Sequence, residues 1–380
     1  MKNSILLFAV FLFIGCKSDP TKTESETIFK DSEKSEIQYA TAFDIHTYEG
    51  YKEIIIHDIW PNSSTSFRYL LVEKNLNKTL DTTHYDAIIQ VPIKKIAVTS
   101  TTHIPSLDML DEIETLIGFP ELDFISTESA RARIEEGKMI RLGNNEDLNV
   151  ERIIELHPDV LISFAVDKID PKLTTISHAG IPVLYNSDWL ETTALGKAEW
   201  IKFFGALYGK LDRATALFNK IELSYLETKK LAQSVNYRPL VMYGGMFKDI
   251  WHVPQGNSWA AQFIEDAQGE YIWKNTTGTG STALGVEKVL IDAQHADIWL
   301  NPSAFTSLDE LSKANKVYTQ FDAFQNQKIY THSEKKGTTG GVIYFELGPN
   351  RPDIVLKDLV HILHPELLPD YTPYFYTQLK

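Results

Sequence analysis

The sequence predicts an α/β fold of two lobes, each a mostly parallel sheet with flanking helices, joined by one long α-helix and preceded by an added N-terminal β-hairpin. Three observations lead to this prediction. Short apolar strands alternate with helical segments in two regions of the 380-residue chain. A long segment of helical periodicity without a strand separates these regions. One phrase of the first region recurs in the second. The two-lobed organisation agrees with the chain length, which is typical of two or three domains.

The composition is that of a globular protein. Hydrophobic residues make up 43% and charged residues 23%, which excludes a mainly disordered, collagenous or coiled-coil chain. The 37 Lys and Arg against 51 Asp and Glu give a net charge of −14, so nucleic acid is not an expected partner. The chain has one Cys, which excludes an intrachain disulfide and a Cys-based metal site.

Residues 1–15 are predicted to be a signal peptide. Lys2 precedes an apolar run over 5–14 that is too short to span ~30 Å of hydrocarbon but fits a signal-peptide core. The run is followed by Gly15 and Cys16, which resembles the lipobox of bacterial lipoproteins. The resemblance implies that Cys16 is diacylated and that the peptide is cut just before it. Two or three acyl chains make a stable anchor. The alternative is a plain secretory signal, or a membrane anchor with an incidental Cys.

The next two segments are a tether and an extension. Residues 16–36 are almost all polar and cannot bury enough apolar surface to offset their ordering entropy, so we expect a flexible, lipid-anchored tether. Residues 37–90 hold two β-branched runs, 52–59 and 67–73, around a turn cluster at 61–64. This pattern predicts a β-hairpin added to the edge of the first sheet.

Two α/β lobes are predicted on either side of a long helix. The N-lobe is 91–210, the inter-lobe helix 211–235 and the C-lobe 236–380. The long helix has apolar residues near a 3.6-residue period and Asp212 as its expected N-cap. The alternation of strands and helices predicts parallel sheets with right-handed crossovers. The expected strands are 95–99, 123–126, 159–163, 180–185, 240–243, 297–300 and 328–330, and the expected shorter helices are 107–117, 149–157 and 353–363.

One phrase occurs once in each lobe. In both copies a Glu near a helix start is followed by a basic residue, two aliphatic residues and an Asp that leads into a buried strand. The first copy spans 149–162 and contains Glu151. The second spans 285–300 and contains Glu287. A duplicated lobe with an intervening helix is typical of a protein with a ligand cleft.

The chain resembles the helix-linked class of ABC-transporter substrate-binding proteins, which carry iron–siderophore complexes, cobalamin or haem. No single phrase is diagnostic, and the order and spacing of several phrases carry the resemblance. These phrases are 96–100, 149–162, 180–183, 254–258, 264–269 and 321–324.

The resemblance implies a carrier rather than an enzyme. The ligand would be a metal chelate bound between the lobes, with Fe or Co held by the chelator, so no cofactor and no direct metal ligand of the protein is expected. The partner would be an ABC permease dimer, with Glu151 and Glu287 docking to its Arg residues through charge-assisted bonds. The alternative for each Glu is a favourable interaction with a helix dipole. We expect a monomer in the cell envelope that faces the periplasm, on either membrane.

Ligand-binding candidates lie just past the predicted strand ends, where open α/β sheets bind ligands. Aromatic side chains offer flat contact to a macrocycle or catechol plane, and an Arg could pair with the negative charge of a ferric complex. The alternative for each aromatic residue is core packing, to which Trp273 and Trp299 are assigned. The candidates are Thr102, His103, Phe164, Asp188, Trp189, Met246, Phe247, Trp251, Asn301, Tyr344, Glu346 and Arg351.

Two other functions stay open. One is a metal- or cofactor-dependent enzyme on the same two-lobed frame, and the other is a surface capture lipoprotein that is not coupled to an ABC permease. No nucleotide loop, Gly-x-Ser-x-Gly or His-Glu-x-x-His motif is present in the sequence. His361 and His364 have a spacing that metal ligands use, but a helix C-terminus also favours His.

Overall fold

The computed structural model describes residues 35–144 and 146–380. The predicted signal peptide, Cys16 and nearly all of the predicted tether lie outside these residues. Four sheets are present in the described part of the chain. Two of them are the mostly parallel sheets of the two predicted lobes.

The N-terminal extension forms a four-stranded sheet of its own, with strand order β1-β2-β3-β4. The predicted hairpin is the antiparallel pair β2 and β3, whereas β1 is joined to β2 by a tight turn at Gly50 (φ 80°) and β4 pairs parallel to β3. The prediction that this hairpin is an edge of the first lobe's sheet is therefore wrong. The strands are β1 Phe43–Tyr48, β2 Tyr51–Ile56, β3 Phe67–Glu73 and β4 Ala87–Val91.

The N-lobe contains a five-stranded parallel sheet of order β7-β6-β5-β8-β9. Its central strands are completely buried, as their unbroken apolar runs predict. The strands are β5 Ile96–Val98, β6 Leu116–Phe119, β7 Ile140–Arg141, β8 Val160–Ser163 and β9 Val183–Tyr185. The helices around them are α1 Ile104–Met109, α2 Glu128–Glu135, α3 Val150–Leu156 and α4 Pro171–His178.

The predicted helix over 107–117 is confirmed only at 107–109 and is wrong from residue 110 onward. The helix ends at Met109, two residues before Asp111 takes a left-handed φ of 56°. The following apolar residues form strand β6. A Cβ on Gly118 would lie 2.9 Å from the Leu142 side chain, so this glycine is a close-packing position in a strand and not a helix stop.

Two smaller predictions are also wrong for local reasons. No strand forms at 123–126. Residues 123–124 belong to a 3₁₀ turn, Leu122–Phe124, and Phe124 is exposed. The N-cap of the long helix is Lys210 and not Asp212. Asp212 lies in the first turn, where its negative charge interacts favourably with the helix dipole.

The long helix between the lobes is confirmed as α7, which spans Leu211–Ala232. Its buried face includes Ala214, Phe218, Ile221 and Tyr225, and it packs against the preceding helix and the C-terminal helix of the C-lobe. The helices that lead into it are α5 Ala194–Glu199 and α6 Ile201–Leu207.

The C-lobe contains a five-stranded sheet of order β13-β10-β15-β16-β17, parallel except for β17, and a smaller antiparallel sheet, β11-β12-β14, inserted after β10. The strands are β10 Leu240–Tyr243, β11 Gly245–Phe247, β12 Ile250–Pro254, β13 Glu270–Tyr271, β14 Ser281–Leu284, β15 Ile298–Leu300, β16 Ile329–Thr331 and β17 Thr377–Gln378. The helices are α8 Trp259–Asp266, α9 Val286–Ala293, α10 Leu308–Ala314, α11 Asp322–Gln325, α12 Ile343–Leu347 and α13 Pro352–Leu363.

Two buried carboxylates fasten the extension to the N-lobe. Glu199 accepts the backbone N–H groups of residues 38–40 at 2.7–3.1 Å, and Glu191 accepts those of residues 41–42 at 3.0 Å. Lys202 donates to Glu199 at 2.7 Å and balances its charge. Buried carboxylates need such hydrogen-bond partners. The extension supplies them to Glu199 and Glu191, so it is an integral part of the N-lobe.

Candidate functional site

A cavity of about 480 Å³ lies at the carboxyl edge of the N-lobe sheet. Its size is within the range of small-molecule sites. Apolar side chains form much of the wall, while two buried hydroxyls and four charged side chains supply polar groups. The lining residues are Thr99, Glu146, Leu148, Ser163, Phe164, Ala165, Val166, Asp167, Lys168, Asp170, Pro171 and Leu173.

The two hydroxyls of the cavity come from the ends of the central strands. Thr99 follows β5 and Ser163 is the last residue of β8, and the Thr99 hydroxyl donates to the Ser163 Oγ at 3.2 Å. Because β5 and β8 are paired in parallel, their carboxyl ends meet at one edge. The chain leaves β8 at Phe164 and reaches α4 through Asp170, which caps this helix by accepting the Lys172 N–H at 2.9 Å.

A second polar cluster occupies the same edge of the sheet. The Thr102 hydroxyl donates to the Asp188 carboxylate at 2.8 Å, and Asn186 Oδ1 accepts the Asp188 N–H at 2.9 Å. The structure therefore brings together two predicted site residues from the loops after β5 and β9. A third candidate, Trp189, is adjacent and partly exposed.

Several buried polar atoms near this cluster have no hydrogen-bond partner within the described residues. They are both ring nitrogens of His103, Nδ2 of Asn186 and Oγ of Ser187. Burial lowers the pKa of His103 to about 4, against a smaller opposing effect of Asp188, so the imidazole is neutral near pH 7. Such atoms are the places where water or a polar ligand group would bind.

The candidate Trp251 is a core residue, which corrects its assignment to the cleft. It is completely buried in β12, stacks on Trp299 at 5.3 Å and meets Tyr318 and Phe321 edge-on. Trp299 and Trp273 are buried as predicted.

Asn301 and Tyr344 also hold the C-lobe together. Asn301 is buried with φ of 53°; its Oδ1 accepts the His332 N–H at 3.1 Å, and its amide donates to the Tyr376 hydroxyl at 3.3 Å. Tyr344 is buried and stacks on the His332 ring at 4.0 Å. Both side chains are occupied by structural contacts, so neither offers a free surface to a ligand.

Glu346 links the two lobes. Its carboxylate accepts the N–H groups of Ser126 at 2.6 Å and Thr127 at 2.9 Å, and also the Thr127 hydroxyl. Burial raises the pKa of Glu346, and these hydrogen bonds partly offset that effect. The carboxylate therefore joins α12 of the C-lobe to the loop before α2 of the N-lobe.

Arg351 is already paired within its own segment. Its Nε and Nη2 donate to the two carboxylate oxygens of Asp353, both at 2.9 Å. A bidentate pair of this kind neutralises the guanidinium charge. The expectation that Arg351 meets an anionic complex is corrected accordingly.

The cavity contains one of the twelve predicted ligand residues, Phe164. Met246 is half-buried and Phe247 is 64% exposed at the tip of the β11–β12 hairpin of the C-lobe. The sequence reasoning missed Thr99 and Ser163. The available signal was a small hydroxyl residue directly at the end of each buried strand.

Glu151 and Glu287 lie on different lobes at equivalent places. Each is exposed in the first turn of a short helix, α3 or α9. Asn149 caps the first helix by accepting the Arg152 N–H at 2.9 Å. The geometry is compatible with docking and with a simple dipole interaction, so the docking role stays a prediction.

The described residues contain neither a metal-binding cluster nor a membrane-spanning helix. Within residues 35–144 and 146–380, no group of three or more His, Cys, Asp or Glu is arranged to hold a metal ion. His361 and His364 instead contact the backbone oxygens of Leu368 and Gln268, at 2.9 and 3.3 Å. In the same part of the chain, no helix has the length and apolar character needed to cross a membrane.

Comparisons with known proteins agree with this architecture. An uncharacterized lipoprotein of Methanocaldococcus jannaschii is 28% identical over 298 residues, which are 76% of this chain and 69% of the relative. Two solved structures have a TM-score of 0.56, and each covers 72% of this chain and 99% of its own. They are a possible iron-binding (periplasmic solute-binding) protein from Staphylococcus epidermidis, 15% identical, and the periplasmic heme-binding protein RhuT from Roseiflexus sp. RS-1, 17% identical.

The family model for periplasmic binding proteins matches residues 96–335. This match runs from the first strand of the N-lobe sheet to the loop after β16 and includes the long helix α7. The N-terminal four-stranded sheet lies outside it. The chain belongs to the periplasmic binding protein family.

Proposed function

We propose that this protein is the solute-binding lipoprotein of an ABC importer, and that it captures a metal chelate and delivers it to the permease. The observation that carries the proposal is the cavity at the carboxyl ends of β5 and β8, in a chain of this family. The chelate would be a ferric siderophore, cobalamin or haem. Its metal would be held by the chelator, so the protein would need no cofactor and would not act as an enzyme.

Three findings support this ligand class. Two of the similar solved structures are a possible iron-binding protein and a heme-binding protein. The cavity combines a flat aromatic residue, Phe164, with buried hydroxyls, a mixture that suits a chelate with apolar and polar faces. Residues placed to ligate a bare metal ion are absent from the described part of the chain.

The ligand is tested by equilibrium titration of the full-length protein in mild detergent. The panel contains a ferric hydroxamate, a ferric catecholate, corrinoids and haemin, and the readout is quenching of tryptophan fluorescence. Saturable binding of one class with a micromolar or lower dissociation constant is expected. Failure of all of them to bind would contradict the proposed ligand class.

Docking of the permease is assigned to Glu151 and Glu287. Both are exposed, and for neither is an ion pair found among the described residues. A Glu→Ala change at either position should leave ligand affinity nearly intact and lower uptake, at a cost of ~2–5 kcal/mol where the interface is well desolvated. The double variant should be worst.

Ligand binding and uptake are measured on the same docking variants. A loss of ligand affinity would place these residues in the binding site instead. Normal uptake by the double variant would favour a capture lipoprotein without a permease.

The membrane anchor is assigned to Cys16. The lipoprotein relative supports this assignment, which rests on the sequence pattern at residues 5–16. The expected result of Cys16→Ala is an unprocessed or soluble protein, measured by membrane fractionation and by the mass of the purified chain. A processed Cys16→Ala protein that still fractionates with membranes would refute the anchor.

A further inference from the structure

The charges around the N-lobe cavity are unbalanced. Three carboxylates line it, those of Glu146, Asp167 and Asp170, against the single ammonium of Lys168. The lining therefore carries a formal charge of −2. Glu146, Asp167 and Lys168 are exposed at its rim, and Asp170 is half-buried.

These rim charges are not compensated by neighbouring cations. Within the described residues, no ion pair is found for Glu146, Asp167 or Asp170. Lys172, the next basic residue after Lys168 along the chain, does not line the cavity and pairs with Asp147.

Two further cations of the loops near this edge, Arg351 and Lys197, have partners of their own. Arg351 is held by Asp353 in a bidentate pair. Lys197 donates to the Asp188 backbone oxygen at 2.8 Å and lies over the Trp259 ring at 5.5 Å, and burial lowers its pKa. Neither side chain lines the cavity, so Lys168 is the cation that a bound anion would meet among the described lining residues.

The cavity lining also has apolar side chains. Leu148 and Leu173 are buried, Phe164 is half-buried and Val166 is exposed. A ligand there would contact apolar side chains on one face and carboxylates at its edge. An anion would lose hydration and meet like charges, a combination that disfavours it. The net charge of −14 adds a repulsive field at longer range.

We infer that this cavity selects a cationic chelate with an apolar face and discriminates against anionic chelates. The inference rests on the proposed function and narrows its ligand class. It favours a cationic hydroxamate complex or an aquated corrinoid over a ferric tricatecholate or a haem with ionised propionates.

The experiment uses probes of both signs with the full-length protein in detergent. Ferrioxamine B and aquated cobinamide are the cations, haemin and a ferric tricatecholate are the anions, and dicyanocobinamide is a neutral match for the cobinamide cation. Affinities are measured at low and high salt. A cationic probe should bind more tightly than either anion, and its affinity should fall as salt rises.

Charge variants then locate the effect at the cavity. The double variant Glu146→Gln/Asp167→Asn should weaken cation binding by about two- to five-fold for each carboxylate removed. Lys168→Gln should strengthen it. Asp170 is left in place because it caps α4. Glu135→Gln, an exposed carboxylate on α2 that does not line the cavity, is the matched control.

The outcomes separate this inference from the proposed function. Tighter binding of haemin or of the tricatecholate, or unchanged cation binding by the double variant, would overturn the charge selection and leave the proposed function standing. If neither the cations, the anions nor the neutral probe binds, the proposed function itself fails.

Discussion

The carboxyl edges of the two lobes differ in what fills them. At the N-lobe edge, Thr99 and Ser163 lie at the ends of two central strands beside an open cavity. At the C-lobe edge, aromatic stacking and hydrogen bonds occupy the equivalent space, through Trp299, Asn301 and His332. The rule that open α/β sheets bind ligands at the carboxyl ends of their strands therefore points to both edges. The contacts that side chains already make there decide which edge can bind a ligand.

The largest expected effect tests whether the C-lobe edge is a packed core. Trp251→Ala removes a completely buried side chain and should lower the free energy of unfolding by about 3–5 kcal/mol. Phe247→Ala, in the same small sheet but 64% exposed, should change it by less than ~0.5 kcal/mol. Urea denaturation measures both, and similar losses for the two variants would contradict the assignment.

The second prediction concerns one buried histidine in each lobe. Burial lowers the pKa of His103 to about 4 and that of His332 to about 3. The unfolded chain binds protons below pH 6.5 that the native protein does not, so stability is complete above pH 6.5 and is lost as the pH falls toward 4. The loss should be on the order of 2–3 kcal/mol for His103.

The acid dependence is checked by denaturation at pH 7.5 and pH 4.5. His103→Gln should flatten this dependence, because Gln takes up no proton. His332→Gln should also lower stability at pH 7.5, since it removes the stacking on Tyr344. If His103→Gln loses as much stability between pH 7.5 and pH 4.5 as the original protein does, His103 is not the source of the acid dependence.

The smallest expected effect on stability concerns the link between the lobes. Glu346→Ala leaves the N–H groups of Ser126 and Thr127 without their acceptor and should cost about 1–3 kcal/mol. Hydrogen exchange at residues 126–127 should accelerate more than at β8. The control Glu334→Ala, at an exposed position of the same lobe, should change neither the free energy of unfolding nor the exchange rate at 126–127. Unchanged protection of residues 126–127 in Glu346→Ala would contradict the link between the lobes.

The sequence predicts long-period features well. The 3.6-residue pattern places α7 within a few residues, and the buried apolar runs place β8, β10 and β15. Short apolar segments next to a glycine are harder to assign to a helix or a strand. Gly118, for example, is a close-packing position in a strand and not the end of a helix.

The site is harder to predict than the fold for a physical reason. Whether an aromatic residue such as Trp251 is exposed depends on contacts with residues distant in sequence, which composition does not contain. The same is true of Glu346, whose partners are 219 and 220 positions away. The bidentate pair of Arg351 and Asp353 spans only two positions, yet the sequence analysis assigned Arg351 to an anionic ligand.

Binding of the ligand at the N-lobe cavity can be tested with one pair of variants. Equilibrium binding of the tightest ligand of the panel is measured for Phe164→Ala and Phe247→Ala, with unfolding midpoints as the folding control. Phe164 lines the cavity, whereas Phe247 is exposed on the other lobe. Phe164→Ala should lose about tenfold or more in affinity, as expected for truncation of a contacting aromatic side chain, and Phe247→Ala should stay within about twofold. Undiminished binding by Phe164→Ala together with a loss in Phe247→Ala would contradict the account.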